Sequence, residues 1–431
     1  MRIATASRIV FRAGPRQRYW ALRRHVDRLL SLRGPAIRPF ILLLVQDWRR
    51  FVLGMTRPVH GQVRERADAA VAWLLRAQAA TPDDGVSLGY FPSNPEADGG
   101  WLDSYPETTG YIVPTLLEYA DRFRREDVRE RALRMASWEI DVQMPSGAVQ
   151  GGTVCVPERQ VPAVFNTGMV LQGYSAAYRA TGDARFLKAG RRAADFLVTD
   201  MGEDGHFRSH GAFVAQHAIK TYNCLCGWAL WHFAEDSGDE AYTKTAIRAA
   251  EAALGQQHPN GWFANNCLTD PDAPLSHTIG YTLQGIMEIG ILAGREDFVD
   301  AARLSVGALL GRISPDGFLP GCFFSDWEPA TFSSCLTGSA QLAVVCYRLY
   351  ERTGVEEYRG AADRLIDQLK AHQLIAAPDA GVNGAIGGSF PLLGSYMTAG
   401  YPNWATKYFL DGLLLQERLS GAGGVSNRAA R

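Results

Sequence analysis

The sequence predicts an all-α fold in which six helical hairpins close into an (α/α)6 barrel, preceded by a basic N-terminal extension. Three observations support this prediction. Glycine-containing turns recur about every 56 residues, two kinds of helix alternate between them, and 431 residues are enough for twelve helices around one core. With 47% hydrophobic and 21% charged residues, the composition is that of a globular protein and excludes a disordered or fibrous one.

Two series of glycines mark the repeat. Glycines of the first series are 56, 56 and 60 residues apart and lie at Gly182, Gly238, Gly294 and Gly354. Those of the second series, half a period away, are 58, 56 and 56 residues apart and lie at Gly147, Gly205, Gly261 and Gly317. A repeat of this length predicts helical hairpins stacked side by side.

The helices between these turns are of two kinds. Those that follow the first series, such as 184–198 and 240–255, are amphipathic and charged. Those that precede it, such as 169–178 and 281–292, are apolar on nearly every side. Because a helix that is hydrophobic all round must be buried all round, the alternation predicts an inner layer of apolar helices inside an outer layer.

The hairpins can be placed in order along the chain. The predicted outer/inner helix pairs are 63–80/107–122, 126–143/165–181, 183–199/219–236, 239–256/276–293, 295–312/333–353 and 355–373/402–420. Helices joined by short turns are antiparallel neighbours, so all inner helices point the same way and their N-termini gather on one face. The predicted organisation is therefore an extension over 1–58, a barrel over 59–420 and a disordered tail over 421–431.

The start of the chain has a distinct charge. Residues 1–50 contain twelve arginines and two aspartates, a net charge of +10, which leaves −11 for the rest. Apolar residues at near-helical spacing between the arginines predict a basic amphipathic helix: Trp20, Leu22, Val26, Leu29 and Leu30. Two interpretations stay open, namely contact with anionic lipid or an acidic partner, and an ordinary helix packed on the acidic body.

Several classes of protein are not favoured. The overall charge of −1 gives no whole-protein argument for nucleic acid, and no apolar run is long enough to span a bilayer. The seven cysteines show no CxxC spacing, which favours buried thiols in a reducing, cytoplasmic compartment over a metal site. We also find no secretory pattern and no motif for a phosphate or dinucleotide cofactor. We therefore predict no metal and no cofactor, and we leave the oligomeric state open.

Polar and aromatic residues are dense where the inner helices begin. Six parallel helices place six positive dipole ends around one funnel, which favours an anionic or hydroxyl-rich ligand. Aromatic faces stack on sugar rings, and amide, carboxyl and imidazole groups bond to hydroxyls. The predicted substrate-binding residues are Trp101, Asp103, Tyr111, Asn166, His217, Asn223, Trp327, Glu328, Tyr401, Trp404 and Lys407. Any one of them has the alternative of a helix cap or a packing residue.

Three inner-helix segments carry a resemblance to a known superfamily. They are Thr167-Gly168-Met169-Val170-Leu171-Gln172-Gly173, Tyr222-Asn223 and Gly280-Tyr281-Thr282-Leu283-Gln284-Gly285. Together with the six hairpins they resemble the six-hairpin glycosidase-like superfamily over residues 60–420. This resemblance implies an (α/α)6 barrel and an activity among glycoside hydrolases, uronyl hydrolases, polysaccharide lyases and sugar epimerases. It implies no catalytic residue, because no motif of a single family aligns.

The favoured hypothesis is hydrolysis of a saccharide, one that contains uronic acid, by a pair of carboxyl groups. Glu107 and Asp326 are the predicted acid/base pair, assisted by Tyr222 and His277. The alternative is a polysaccharide lyase or uronyl C5-epimerase that uses a tyrosine or histidine base. A second alternative is a non-catalytic glycan-binding or scaffold barrel. Residues 1–50 would suit peripheral contact with the inner face of a membrane or with another protein.

Overall fold

The structure is a computed structural model that describes residues 37–54, 56–94, 97, 99–212, 214 and 218–426. Its described part contains thirteen α-helices. They are α1 (Ile37–Val52), α2 (Val63–Ala79), α3 (Pro106–Phe123), α4 (Glu126–Val142), α5 (Val164–Thr181), α6 (Ala184–Asp200), α7 (Leu225–Ser237), α8 (Glu240–Leu254), α9 (Ser276–Ala293), α10 (Glu296–Leu310), α11 (Leu336–Thr353), α12 (Glu356–His372) and α13 (Asn403–Ser426).

Helices α2 to α13 form six hairpins, with the even-numbered helices outside and the odd-numbered helices inside. The predicted (α/α)6 barrel is confirmed, and several predicted bounds agree within a residue; α9, for example, occupies 276–293 as predicted. The third inner helix begins later than predicted, since a 3-10 turn over Thr221–Cys224 precedes α7. Helix α13 continues to Ser426, past the predicted end at 420, and the predicted helix around 20–30 lies outside the described residues.

The repeated glycines lie in turns that need a left-handed backbone. All eight have φ between 65° and 88°. Turns of the second series pack on the next outer helix: a Cβ on Gly147 would lie 2.2 Å from the carbonyl oxygen of Arg192, and one on Gly317 would lie 2.1 Å from that of Arg364. The turn after α12 closes the ring, because a Cβ on Gly384 would lie 2.3 Å from the carbonyl oxygen of Ala69 in α2.

Glycines also let the inner helices approach closely. A Cβ on Gly110 in α3 would lie 2.5 Å from Val170 Cα in α5, and one on Gly168 in α5 would lie 2.7 Å from Cys226 Sγ in α7. Gly338 in α11 is similarly close to the start of α9, where a Cβ would lie 2.1 Å from Ser276 Oγ. The inner helices therefore pack tightly around a solid core.

Two antiparallel strand pairs lie where the inner helices begin. Strand β1 (Gly89–Tyr90) pairs with β4 (Tyr401–Pro402), and β2 (Ser334–Cys335) pairs with β3 (Ser389–Phe390). They join the connections that lead into α3, α11 and α13, and so they fix the loops around the mouth. We use "funnel" for the space bounded by the N-terminal turns of the six inner helices. No helix in the described ranges has the length and apolar character needed to cross a bilayer.

Candidate active site

Glu107 lies in the first turn of α3, inside the funnel. The hydroxyl of Tyr105, the residue just before this helix, donates a 2.6 Å hydrogen bond to Glu107 Oε2. Burial raises the pKa of the Glu107 carboxyl to about 7, and the bond from Tyr105 opposes that rise. A glutamic acid with this pKa holds its proton near neutral pH and can still release it, which is what a general acid requires.

Six tyrosines surround this carboxyl group. Burial raises the pKa of each phenol, and a negative charge on Glu107 raises it further. They come from the residue just before α3, from α3, from the 3-10 turn before α7, from α9, from the connection before α13 and from α13 itself. The six are Tyr105, Tyr111, Tyr222, Tyr281, Tyr396 and Tyr408. Residues far apart in the sequence thus share one electrostatic environment.

The aromatic rings form a continuous wall around Tyr281. Its ring centroid lies 4.6 Å from that of Phe165, 6.5 Å from that of Tyr222 and 6.0 Å from that of Tyr408. Tyr408 in turn lies 5.7 Å from Tyr111. These are the separations of favourable tilted and edge-to-face ring contacts. Helices α3, α5, α9 and α13 therefore meet through aromatic side chains at the floor of the funnel.

His277 belongs to the same wall. Its ring lies 4.4 Å from Tyr281 and 5.5 Å from Tyr396, and its Nδ1 bonds to Gln341 Oε1 at 2.8 Å. Burial lowers the pKa of His277 to about 4, so the imidazole is neutral at pH 7. Because an amide oxygen only accepts, Nδ1 carries the hydrogen and Nε2 is the basic nitrogen.

Three further predicted residues border this group. Trp404 donates a 2.9 Å hydrogen bond to Tyr396 Oη and lies edge-on to Tyr105, with ring centroids 6.1 Å apart. Asn166 donates to the carbonyl oxygen of Gln150 at 2.9 Å. Lys407 lies 4.1 Å from the ring centre of Tyr408 and pairs with Asp411 at 2.6 Å. The charge of Lys407 is therefore already compensated.

Several buried polar atoms near the funnel have no hydrogen-bond partner within the part of the chain that the structure describes. They are Tyr111 Oη, Tyr281 Oη, Asn223 Oδ1, Gln341 Nε2 and Asn403 Oδ1. Buried polar groups are normally paired, and leaving one unpaired costs about 1–3 kcal/mol. A cluster that contains both donors and acceptors suits a ligand rich in hydroxyl groups.

Three other predicted substrate-binding residues lie outside the group around Glu107. Trp101 packs between Trp73 and Tyr90, with ring centroids 5.4 and 5.2 Å away, where the first hairpin meets the sixth. Asp103 is exposed, and Tyr401 is buried in strand β4 opposite Tyr90. Trp101 and Tyr401 therefore pack in the wall of the mouth, and the Asp103 side chain faces solvent. His217 lies outside the described residues.

Asp326 lies at the rim, where it is exposed on a turn and accepts a 3.0 Å hydrogen bond from the backbone N–H of Glu328. Trp327, between them, packs edge-on against Trp262 at 5.2 Å and donates to the carbonyl oxygen of Asn260. Glu328 pairs with Arg312 at 3.0 Å, just beyond α10. These contacts face the outer helices, and we therefore leave Asp326 out of the catalytic group that we propose.

The barrel was compared with known proteins. An unsaturated glucuronyl hydrolase specific for heparin aligns with a TM-score of 0.66 and 15% identity over 83% of this chain and 98% of its own. The unsaturated glucuronyl hydrolase from Bacillus sp. GL1 aligns with a TM-score of 0.64 and 17% identity over 83% of this chain and 96% of its own. Cellobiose 2-epimerase from Bacillus thermoamylovorans aligns with a TM-score of 0.61 and 10% identity over 86% of this chain and 99% of its own. The chain has their six-hairpin fold. No protein-family model and no curated protein sequence matches it.

Several residues in the funnel were not among those predicted from the sequence. Tyr408 follows Trp404 by one helical turn in α13, and this i, i+4 spacing was the available signal. Gln341 lies one turn inside α11 and reads as a core residue of an apolar helix. Tyr396 lies in the connection between α12 and α13, where no periodicity exists. His210 accepts from Asn223 at Nδ1, 3.2 Å away, and no local pattern marks that contact.

The described residues also show which chemistry the funnel offers. None of them forms a group of three or more His, Cys, Asp or Glu side chains arranged to hold a metal ion. What the site contains is one carboxylic acid with a raised pKa, a neutral imidazole and a set of protonated phenols. These groups can donate and accept protons around a polar ligand.

Proposed function

We propose that the chain is a carbohydrate-active enzyme that hydrolyses a glycosidic bond in a uronic-acid-containing oligo- or polysaccharide, with Glu107 as the proton donor. The observation that carries this proposal is the Glu107 carboxyl group, with its pKa raised to about 7, at the centre of six tyrosines. Glycoside hydrolysis needs an acid that protonates the leaving group, and burial is the usual way to keep a glutamic acid protonated.

The surroundings of Glu107 favour a saccharide as the ligand. The rings of Tyr222, Tyr281 and Trp404 offer apolar faces, and the unpartnered polar atoms beside them offer donors and acceptors. Sugars present both kinds of surface at once. Structures with the same fold include unsaturated glucuronyl hydrolases, one of them in complex with dGlcA-Glc-Rha-Glc, which supports a uronic acid in the substrate.

The acidic part of such a substrate needs positive potential. The inner-helix N-termini point their free N–H groups into the funnel. Lys220 lies beside the 3-10 turn that precedes α7, and its Nζ donates to the carbonyl oxygens of Cys267 and Leu268, at 2.9 and 3.0 Å. Carbonyl oxygens hold the ammonium group without neutralising its charge. We propose that Lys220 and the helix ends favour the substrate carboxylate.

His277 supports a second candidate reaction. Its neutral imidazole has Nε2 free of a proton, as removal of the proton alpha to a uronate carboxyl group requires, although the lowered pKa makes it a weak base. That step starts an elimination, as in a lyase, or a C5-epimerisation. Glu107 would then return the proton or protonate the leaving oxygen. Glu107 and His277 thus serve either reaction. In hydrolysis the first proton is transferred to the glycosidic oxygen, whereas in elimination or epimerisation the first proton is removed from carbon.

The two reactions give different products. We would incubate the protein with neutral and uronic-acid-containing polysaccharides and with oligosaccharides that end in an unsaturated uronate. Hydrolysis releases reducing ends and, from the unsaturated substrates, consumes their ultraviolet absorbance. Elimination creates that absorbance, and epimerisation takes up solvent deuterium without cleavage. Binding without any product would assign the barrel to the non-catalytic class and refute both proposals.

Variants of the two residues separate the candidates further. For hydrolysis, Glu107→Gln should abolish product formation, whereas His277→Gln should keep a measurable rate. For proton abstraction at carbon, His277→Gln should abolish deuterium uptake. Glu130→Gln is the matched control, because Glu130 is exposed on the outer helix α4, away from the funnel. Full activity of Glu107→Gln on every active substrate would refute the role of Glu107.

A further inference from the structure

Helix α1 lies against the mouth of the barrel. Phe51 is buried among Phe318, Phe332 and Phe390, at ring distances of 6.2, 6.0 and 5.5 Å. These three phenylalanines belong to the connections that lead into α11 and α13. The helix therefore sits beside the funnel and not on the outer ring.

Two polar contacts fix α1 in this position. Asp47 accepts a 2.6 Å hydrogen bond from the backbone N–H of Leu392, and Arg50 donates at 2.8 Å to the carbonyl oxygen of Ala371. Leu392 lies in the connection into α13, and Ala371 lies in the last turn of α12. Both anchors are on the side of α1 that carries Phe51, so its orientation on the barrel is determined.

Six large apolar side chains in α1 and at the residue just after it are exposed, four of them to one side of Phe51 around the helix and two opposite it. They are 37% to 67% exposed and belong to Ile41, Leu42, Val45, Trp48, Val52 and Leu53. Spacings of four, three and four residues place Ile41, Val45, Trp48 and Val52 on one stripe of the helix. We call these six residues the apolar stripe. The only other exposed large hydrophobics in the described ranges are scattered, at Val156, Leu304 and Val355.

The charge around the apolar stripe indicates what covers it. Residues 1–50 carry a net charge of +10, and the rest of the chain carries −11. Arg49 is exposed within α1 and lies between Val45 and Leu42 around the helix. Apolar side chains flanked by arginine on one helix are typical of helices that lie in the interface of an anionic membrane.

We propose that α1 docks the protein on an anionic lipid surface, with the apolar stripe entering the headgroup boundary and the net positive charge of residues 1–50 attracting lipid phosphates. Because the other side of α1 is fixed to the mouth of the barrel, docking brings the funnel next to the membrane surface. A saccharide held at that surface would then be within reach. The docking itself does not depend on which reaction the funnel performs.

Vesicle binding by the full-length protein tests this proposal. We expect co-sedimentation with vesicles of phosphatidylcholine and phosphatidylglycerol, weak binding to phosphatidylcholine alone, and loss of binding as salt is raised. Leu42→Ser combined with Leu53→Ser should weaken binding about tenfold or more, because two exposed apolar side chains no longer enter the lipid. Leu304→Ser combined with Val355→Ser is the matched control, with apolar residues of similar exposure on outer-ring surfaces.

The native tryptophan in the stripe reports the depth of docking. Trp48 is 37% exposed; its ring lies 5.8 Å from that of Phe51 in the same helix and 6.3 Å, edge-on, from that of Phe332 in the barrel. Brominated acyl chains in the anionic vesicles should quench part of the fluorescence of the wild-type protein. Trp48→Phe should lose part of that quenching while it still sediments with the vesicles.

Other results would overturn the proposal. Unchanged binding by the Leu42/Leu53 variant would mean that the arginines act alone. Retention on immobilised poly-glutamate without vesicle binding would assign residues 1–50 to an acidic protein. Self-association that the same two substitutions abolish, again without vesicle binding, would assign the stripe to a contact between two copies. Absence of all binding would mean that the chain itself covers the stripe.

Discussion

Glu107 and Glu139 are both shielded from water in this barrel, but they lie in different places. Glu107 lies in the funnel, where it keeps some solvent access and receives a hydrogen bond from Tyr105. Glu139 lies on the outer helix α4, is 0% exposed, and has no hydrogen-bond partner for either carboxyl oxygen among the described residues. Burial raises the pKa of both.

Because burial raises the pKa of both carboxyl groups, the raised pKa is not by itself the reason why we propose Glu107, and not Glu139, as the catalytic acid. Glu139 faces the inner helix α5, where the Tyr174 hydroxyl donates to its backbone carbonyl oxygen at 2.7 Å and leaves the carboxyl group sealed. No ligand can reach it there. The pKa of Glu107 is also raised by burial, but its side chain is partly exposed and it accepts a hydrogen bond from the Tyr105 hydroxyl group. Access to a ligand, and not the size of the shift, separates a reactive site from a buried acid.

The largest effect should come from exchanging the two glutamates for glutamine in turn. Glu107→Gln should lower turnover by about 10²–10⁴-fold, because the proton donor is lost. The melting temperature should stay within a few degrees, since glutamine keeps the shape and a hydrogen bond to Tyr105. Glu139→Gln should leave turnover unchanged. Two results would contradict these roles. One is loss of activity in the Glu139 variant, and the other is a large loss of stability with activity retained in the Glu107 variant.

A second effect concerns the pH dependence. A general acid acts in its protonated form, so kcat/KM should fall as pH rises through the Glu107 pKa of about 7. The hydrogen bond from Tyr105 favours the ionised carboxylate. Tyr105→Phe should therefore raise the Glu107 pKa and move the descending limb to higher pH, by up to about one unit.

Tyr111→Phe is the control for this shift, because Tyr111 is also near Glu107 but, unlike Tyr105, its hydroxyl group makes no hydrogen bond to that carboxyl group in the described structure. The limb should stay where it is in that variant. A limb that moves to lower pH in Tyr105→Phe would show that the phenol does not act on the ionised form.

Much of the fold could be predicted from the sequence because its signals are local. A left-handed glycine such as Gly238 ends its helix whatever surrounds it, and apolar periodicity distinguishes inner from outer helices. The convergence of Glu107, Tyr222 and His277 follows from the same reasoning, since helices that start on one face bring their first residues together. The structure does place all three in the funnel, where Tyr281 links them.

The rest of the site depends on contacts between distant parts of the chain. Tyr396 reaches the funnel because strand β3 pairs with β2 and because Leu392 bonds to Asp47. The position of Asp326 is set by Trp327, which packs on Trp262 in another hairpin. Neither arrangement has a signature within a few residues of the chain. Sequence periodicity therefore predicts which helix ends meet but not what the long connections place between them.

The sealed glutamate should affect stability and not turnover. The folded protein keeps Glu139 protonated, whereas the unfolded chain ionises near its usual pKa of about 4.3. Above about pH 4.3, the pKa in the unfolded chain, the folded protein holds one proton more than the unfolded chain does. The contribution of Glu139 to stability is therefore largest at low pH and falls as pH rises above that pKa. Glu139→Gln should remove this fall and raise the melting temperature at pH 8, by roughly a few degrees, with a smaller gain at pH 5.

Glu130→Gln on the exposed side of α4 is the matched control and should leave the pH dependence of melting unchanged. Thermal denaturation from pH 5 to pH 8 measures both variants. Parallel curves for the wild type and Glu139→Gln would show that the Glu139 carboxyl group is not retained in its protonated form.

The smallest effect is expected for Asp326→Asn. Asp326 is exposed, and its carboxylate accepts from the Glu328 backbone, a bond that asparagine can also accept. Turnover should change by less than about threefold, because a group outside the desolvated funnel contributes little to proton transfer. A loss as large as that of Glu107→Gln, measured on the same substrate, would restore Asp326 as the second carboxyl group. The rim would then have to close over the funnel to bring the two acids across one glycosidic bond.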